Sequence, residues 1–225
     1  MLFIFDWDGT LHDSAARIVR AMQIAADELR LTALSDAEVQ NIIGLGLPEA
    51  ILALYPDLDA AVRHELRLGY ARHYIAMNEQ PAELFPSVID TLRHLKGSGH
   101  LVAVATGKNR RGLQRVLGQL DMLDFFHATR CADETQSKPH PQMLHELLTE
   151  LATPMHHAVM IGDTEYDMAM AQQAGMARIG VDYGAHAKER LLRYDPDLIL
   201  SRFEHLLNWQ RLARTLDENS KQDRY

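Results

Sequence analysis

Apolar residues come in two rhythms along this chain. Short continuous runs at Leu2–Phe5, Leu101–Ala105, His127–Cys131, Ala158–Ile161, Ala177–Val181 and Leu198–Leu200 mostly lack period-two alternation. Strands covered on both faces of a parallel sheet read this way. Helical spacing fills the intervals. Val88, Leu92 and Leu95 precede the stop Gly97-Ser-Gly99, and Leu113, Val116, Leu117 and Leu120 form a second stripe. Met143, Leu144, Leu147, Leu148 and Leu151 form a third. Alternating strands and helices from residue 86 onward predict a doubly wound parallel α/β core. Between the first strand and the second the rhythm changes. From about Ser14 to Asn78 the pattern predicts helices only, at Ala16–Leu29, Asp36–Ile43, Pro48–Leu54 and Leu58–Tyr74. The expected organisation is core over 1–13, a small all-helical cap over 14–80, core again over 81–216, and a polar tail over 217–225.

Composition narrows the class. The 225 residues carry 23 Lys and Arg against 31 Asp and Glu, a formal charge of −8. That argues against a nucleic-acid binder, which needs a basic face, but leaves room for a small anionic ligand. With 47% hydrophobic residues the chain has ordinary globular composition. No run approaches the ~18 apolar residues of a membrane span. The single cysteine, Cys131, excludes an intrachain disulfide and a Cys-based zinc site. A cytoplasmic location is the expectation, and oligomeric state is left open.

Four polar clusters each follow a predicted strand, and strand C-termini of a parallel sheet share one edge. Asp6-Trp-Asp8-Gly-Thr10 offers two carboxylates at i and i+2, suited to holding Mg2+ or to dividing nucleophile and proton-transfer roles. Its plain alternative is an Asp-Gly turn. Thr106-Gly107-Lys108-Asn109 offers a hydroxyl and backbone amides for a phosphate, or simply an N-capping Thr. Ser137-Lys-Pro-His-Pro141 places Lys138 in a proline-stiffened loop, where a lysine can also be merely solvated. Gly162-Asp-Thr-Glu-Tyr-Asp167 spaces Asp163 and Asp167 at i and i+4, the alternative being Asp163 as an N-cap.

Taken together, Phe5–Leu11, Ala105–Lys108, Ser137–Pro139 and Ile161–Asp167 resemble the haloacid dehalogenase superfamily of phosphatases. Leu11-His-Asp-Ser14, Ile43-Gly-Leu-Gly46 and Ala105-Thr-Gly-Lys108 are similar to phosphoglycolate phosphatases within it. The resemblance implies a Rossmann-like core with a cap, and Mg2+-dependent hydrolysis of a small phosphate monoester through an aspartyl-phosphate. By position, Asp6 is implied as nucleophile and Asp8 as acid and base. Mg2+ is implied on the Asp6 side chain, the Asp8 backbone carbonyl and Asp163. Thr106, the Gly107 amide and Lys138 are implied to hold the phosphoryl oxygens, with Asp167 supporting the metal or Lys138. The alternatives are a phosphotransferase or mutase, a pyrophosphatase, or a non-catalytic binding module.

Asp8 argues for phosphoryl transfer over dehalogenation, since halide needs no acid to leave. The first lysine is Lys96, beyond the cap, so Schiff-base chemistry from that segment is excluded. Trp7, where the family has a smaller residue, is expected to pack beneath the sheet edge. His12 is expected to be a solvated hinge residue, the alternative being a substrate contact at the core–cap junction. Ser87 stands where a glycine is usual, and Cys131–Thr135 departs from the usual acidic-glycine loop. Hinges are expected near Leu11–Ser14 and Met77–Phe85. Gly44-Leu-Gly46 reads either as a specificity loop facing the core or as a simple turn, and Arg17 and Arg20 read as solvated helix residues.

Overall fold

The structure is a computed structural model describing residues 1–77 and 83–209. The expected tail over 217–225, the boundary at 80 and part of the Met77–Phe85 hinge lie outside the described residues.

Six parallel strands form one sheet in the order β3-β2-β1-β4-β5-β6. They are β1 (Leu2–Phe5), β2 (Leu101–Thr106), β3 (Ala128–Cys131), β4 (Ala158–Gly162), β5 (Ala177–Val181) and β6 (Leu198–Leu200). β1 is buried throughout because both faces are covered. Phe3 and Phe5 point into a cluster with α5 (Val88–Gly97) and α6 (Arg110–Gln119). Leu2 and Ile4 point the other way, into a cluster with α7 (Gln142–Glu150) and α8 (Glu165–Ala174). Successive side chains alternate across a strand, so one four-residue run serves two cores. A short helix, α9 (Lys188–Leu192), leads to β6.

The chain leaves β1 into α1 (Ala15–Glu28), α2 (Asp36–Asn41), α3 (Leu47–Leu54) and α4 (Ala60–Ala76). These four helices bury a separate apolar cluster that includes Val19, Met22, Val39, Ile51 and Leu66. Capping fixes two starts: Ser35 and Glu38 form a reciprocal capping box at α2, and the Asp59 side chain accepts from Val62 N at α4. The outgoing and returning connections run side by side, with Asp13 N donating to Glu83 O at 2.9 Å and Phe85 N to Leu11 O at 3.0 Å.

Three details of the sequence reading resolve here. Trp7 is fully buried in the core, edge-on to Phe126. His12 is not a solvated hinge residue: it is wholly buried, its ring 6.1 Å from that of Trp7. Its burial is long-range, since the chain returning from the insert bridges His12 at Leu84. Ser87 has φ 64°, a left-handed conformation, which is the physical reason a glycine suits this position.

Candidate active site

The strand order reverses direction between β1 and β4, and ligands of open α/β sheets bind outside the strand ends at that point. Asp6 follows β1 directly and Asp163 follows β4 directly, with Asp6 N donating to Ile161 O at 2.9 Å. Gly9, at φ +80°, turns the chain there, and a Cβ on it would fall 2.1 Å from Asp163 Oδ2. The tight turn is therefore what lets the two acidic segments meet.

Oxygens of Asp6, Asp163 and Asp167 lie within 4.8 Å of one another, all three residues buried. The Lys138 ammonium sits 2.7 Å from Asp6 Oδ1 and 2.7 Å from Asp167 Oδ1. Lys138 is thus not a solvated turn residue; its side chain is 0% exposed. Asp167 Oδ2 accepts from Thr164 N and Oγ1, so both its oxygens are committed. Asp163 accepts from Thr10 Oγ1 and from Ala185 N, each at 2.7 Å. Asp6 Oδ1 also accepts from Trp7 N, whereas Asp6 Oδ2 is buried with no hydrogen-bond partner among the described residues.

These contacts set the charges. Burial pushes the Asp6 carboxyl well above the usual range; Lys138 opposes this, and the nearby Asp167 and Asp163 add to it. Burial likewise raises Asp163, helped by Asp167, to about 7. For Lys138, burial works against the ammonium, but Asp167 and Asp6 outweigh it and hold it above the ordinary lysine range. A compact set of buried carboxylate oxygens short of positive charge suits a divalent cation such as Mg2+.

Asp8 faces another way. Its carboxylate accepts from Ser14 Oγ at 2.6 Å and from Lys108 Nζ at 2.8 and 2.9 Å, with His12 Nδ1 at 3.7 Å. Burial alone would raise its pKa, but Lys108 and His12 reverse that and hold it below the ordinary carboxylate range. Lys108 was quoted within its motif but given no role by the sequence reading. Its ammonium also meets Tyr74 OH of α4 at 3.2 Å and lies 4.7 Å from that ring's centre. The only sequence signal was its place two residues after Thr106.

Thr106 is the last residue of β2 and fully buried, not a helix cap; the cap of α6 is Asn109, whose side chain accepts from Gly112 N. Asp163 is not a cap either, since Thr164 caps α8 in a box with Asp167. The Cys131–Thr135 loop anchors α6: Arg110 pairs with Glu134 at 2.6 Å and its amide donates to Asp133 at 2.9 Å.

The insert closes over this edge through its Gly44–Gly46 loop, which faces the core. Gly46 N donates to Ser137 Oγ at 2.7 Å, and a Cβ on Gly107 would fall 2.5 Å from Leu45 O. Between insert and core lies a cavity of about 310 Å³, with Asp6, Asp8, Gly107 and Lys108 on its core side. That volume suits a small molecule. No helix among the described residues is long and apolar enough to cross a membrane.

Comparison with known proteins agrees with this arrangement. The chain matches the haloacid dehalogenase-like hydrolase family over residues 3–181. It is 35% identical over 212 residues to the protein named "Probable phosphatase IndB" of Dickeya dadantii, covering 92% of this chain and 91% of that one. It is 32% identical over 208 residues to a phosphoglycolate phosphatase of Yersinia pseudotuberculosis, covering 90% of each. A haloacid dehalogenase-like family hydrolase of Streptococcus pneumoniae superposes with a TM-score of 0.79 at 26% identity, covering 93% of this chain and 97% of that one. A parallel sheet whose switch point gathers these acids under a helical insert, with a family match spanning all four clusters, makes the chain a member of the haloacid dehalogenase-like hydrolases, similar within them to the phosphoglycolate phosphatases.

Proposed function

We propose that this protein is a phosphoric monoester hydrolase that acts on a small phosphorylated metabolite through an aspartyl-phosphate on Asp6, with Mg2+ as cofactor. The observation that carries the reading is the asymmetry of Asp6. One oxygen is tied by Trp7 N and Lys138, and the other is buried, unpartnered and in a residue that lines the cavity. A nucleophilic carboxylate needs one held oxygen and one free to attack.

The attack meets like-charge repulsion between carboxylate and phosphate dianion. Lys138, 2.7 Å from Asp6, lowers it and, with Thr106 and the Gly107 amide, holds the phosphoryl oxygens. Asp167 positions Lys138 through its 2.7 Å contact. Asp6, the Asp8 backbone carbonyl and Asp163 would hold Mg2+, which when bound supplies the charge that keeps the buried acids ionised and braces the phosphoryl oxygens.

Asp8 gives its proton to the leaving alcohol and later takes one from the water that cleaves the acyl-phosphate. In the free enzyme Lys108 keeps Asp8 anionic. An arriving dianion attracts Lys108 and adds negative charge beside Asp8, and both effects raise its affinity for a proton. Asp8 thereby takes up a proton from solvent as the substrate binds, and that proton goes to the leaving alcohol. The insert, meeting the core at Gly46–Ser137 and Tyr74–Lys108, excludes water during the attack. The cap is taken as 14–80, with one hinge at Leu11–Ser14.

The test is phosphate release from a panel of esters and pyrophosphate, with and without Mg2+, for the wild type and Asp6→Asn. Mg2+-dependent, stoichiometric release that disappears in Asp6→Asn is expected. Undiminished release by the variant would overturn the assignment.

A further inference from the structure

The cavity between insert and core is polar at one end only. The insert contributes Met22, Ile43, Tyr70 and Tyr74 among others, and none of its lining residues is charged. Among the described residues, the lysines and arginines that line the cavity are Lys108, occupied by Asp8, and Arg111 and Arg115 on α6. Those two arginines are four apart, so they share one helix face. Neither has an ion-pair partner among the described residues, in a protein with eight more acids than bases. Arg111 is exposed and Arg115 half-buried, which puts them at the open side.

The geometry gives a sequence of chemistries along one line. Asn109 caps α6 beside the phosphate end, so the cavity runs along the first turns of that helix. Arg115 lies five residues past the helix start at Arg110, roughly 7.5 Å of helical rise along that helix. A molecule in the cavity meets Asp8, Lys108 and Tyr74 together at one end, apolar wall from the insert, and the two guanidinium groups of α6.

We infer that this site selects phosphate monoesters whose alcohol is a ring-sized, largely apolar body carrying an anionic group at its far end. This deepens the phosphatase reading and rests on it. A two-carbon acid such as glycolate fits less well. Its carboxylate lies only a few bonds from the phosphorus, which sets it against the apolar wall and short of Arg115. An anion there gives up hydration without gaining a partner. A flat ring instead buries its faces against Tyr70, Tyr74 and Ile43, and its distal carboxylate reaches the arginines.

The experiment compares kcat/KM for 4-carboxybenzyl phosphate, benzyl phosphate and phosphoglycolate, with Mg2+, in the wild type and Arg115→Ala. It also measures Kd of the same three esters for Asp6→Asn by calorimetry. The expected order is 4-carboxybenzyl, then benzyl, then phosphoglycolate, with about tenfold or more between first and last. Arg115→Ala is expected to shrink the 4-carboxybenzyl advantage over benzyl phosphate by about three- to fivefold. Hydrolysis that favours phosphoglycolate overturns this inference and leaves the phosphatase reading standing. The expected order of Kd without turnover of any ester by the wild type does the reverse. Equal loss of both benzyl esters in Arg115→Ala removes the arginine from the argument for a distal anion and overturns that part.

Discussion

Lys138→Met is the most informative single change, because Lys138 is the cation that lets buried acids coexist. Its side chain is 0% exposed and stands 2.7 Å from both Asp6 and Asp167, with Asp163 in the same group. Removing one partner of a buried pair costs about 3–5 kcal/mol, since the other charge is left uncompensated. Against a total of about 5–15 kcal/mol, the variant still folds where the loss is smallest. The loss depends on pH, and its sign follows from the acids. Asp6 and Asp163 have raised pKa values in the folded state. The stability they contribute is complete below the unfolded carboxylate value and is lost as pH rises through the folded one, about 7 for Asp163. Lys138, raised above its ordinary value, stays charged across this window. Without it the folded acids retain about one more proton than in the wild type, so the variant's deficit grows by about 1.4 kcal/mol per pH unit. Between about pH 5.5 and pH 8 that amounts to as much as about 3.5 kcal/mol. The assay is urea unfolding in EDTA, followed by the fluorescence of the buried Trp7 and Trp209. A Lys138→Met deficit that is the same at both pH values would refute the reasoning, because lost packing alone is independent of pH. Lys138→Met with Asp167→Asn should recover part of the deficit at about pH 8.

Three further outcomes are expected. Asp6→Asn should keep the wild-type circular dichroism and lose turnover by at least roughly a thousandfold, as removal of a nucleophile does; a loss of only a few-fold in phosphate release counts against the covalent route. Mg2+ at a hundred times its Kd should stabilise the protein by about 2.7 kcal/mol, or about 5–11 °C in Tm. At one fixed Mg2+ concentration the shift should be larger at about pH 8 than at pH 5.5, because Asp163 must shed the proton it holds up to about 7; a thermal melt with the opposite trend contradicts the assigned ligands. Gly107→Ala places a methyl 2.5 Å from Leu45 O and 2.6 Å from Gly44 O, so the insert loop must lift. Overpacking of this kind costs about 1–3 kcal/mol, and kcat/KM should fall by about tenfold with Tm lowered; unchanged kinetics would mean that the loop does not need to seat on Gly107.

The strands were readable from sequence because each is a short apolar run that a doubly covered parallel sheet requires, and all six lie where the runs do. The helical insert was readable for a similar reason, since its apolar stripe repeats at helical spacing with no strand between. The clusters at Asp6, Thr106, Lys138 and Asp163 were legible as candidates, because local spacing identifies loops that follow strands. What those loops do to one another is a long-range matter. Lys108 meets Asp8 across 100 positions and Tyr74 across 34, so no local pattern marks it. The burial of His12 depends on Trp7 and on the chain returning from the insert, which its own local sequence does not show. The i,i+4 spacing of Asp163 and Asp167 does not reflect a shared helix face, since α8 begins only at Glu165. The two meet because Thr164 caps that helix and Gly9 lets β1 and β4 bring their ends together. Sequence thus determined which segments form the sheet and which residues stand at its edge, since burial periodicity is a local property. Tertiary structure alone decided which oxygen of Asp6 is left free and which cation faces each acid. Charges act through space, over distances that only the folded chain sets.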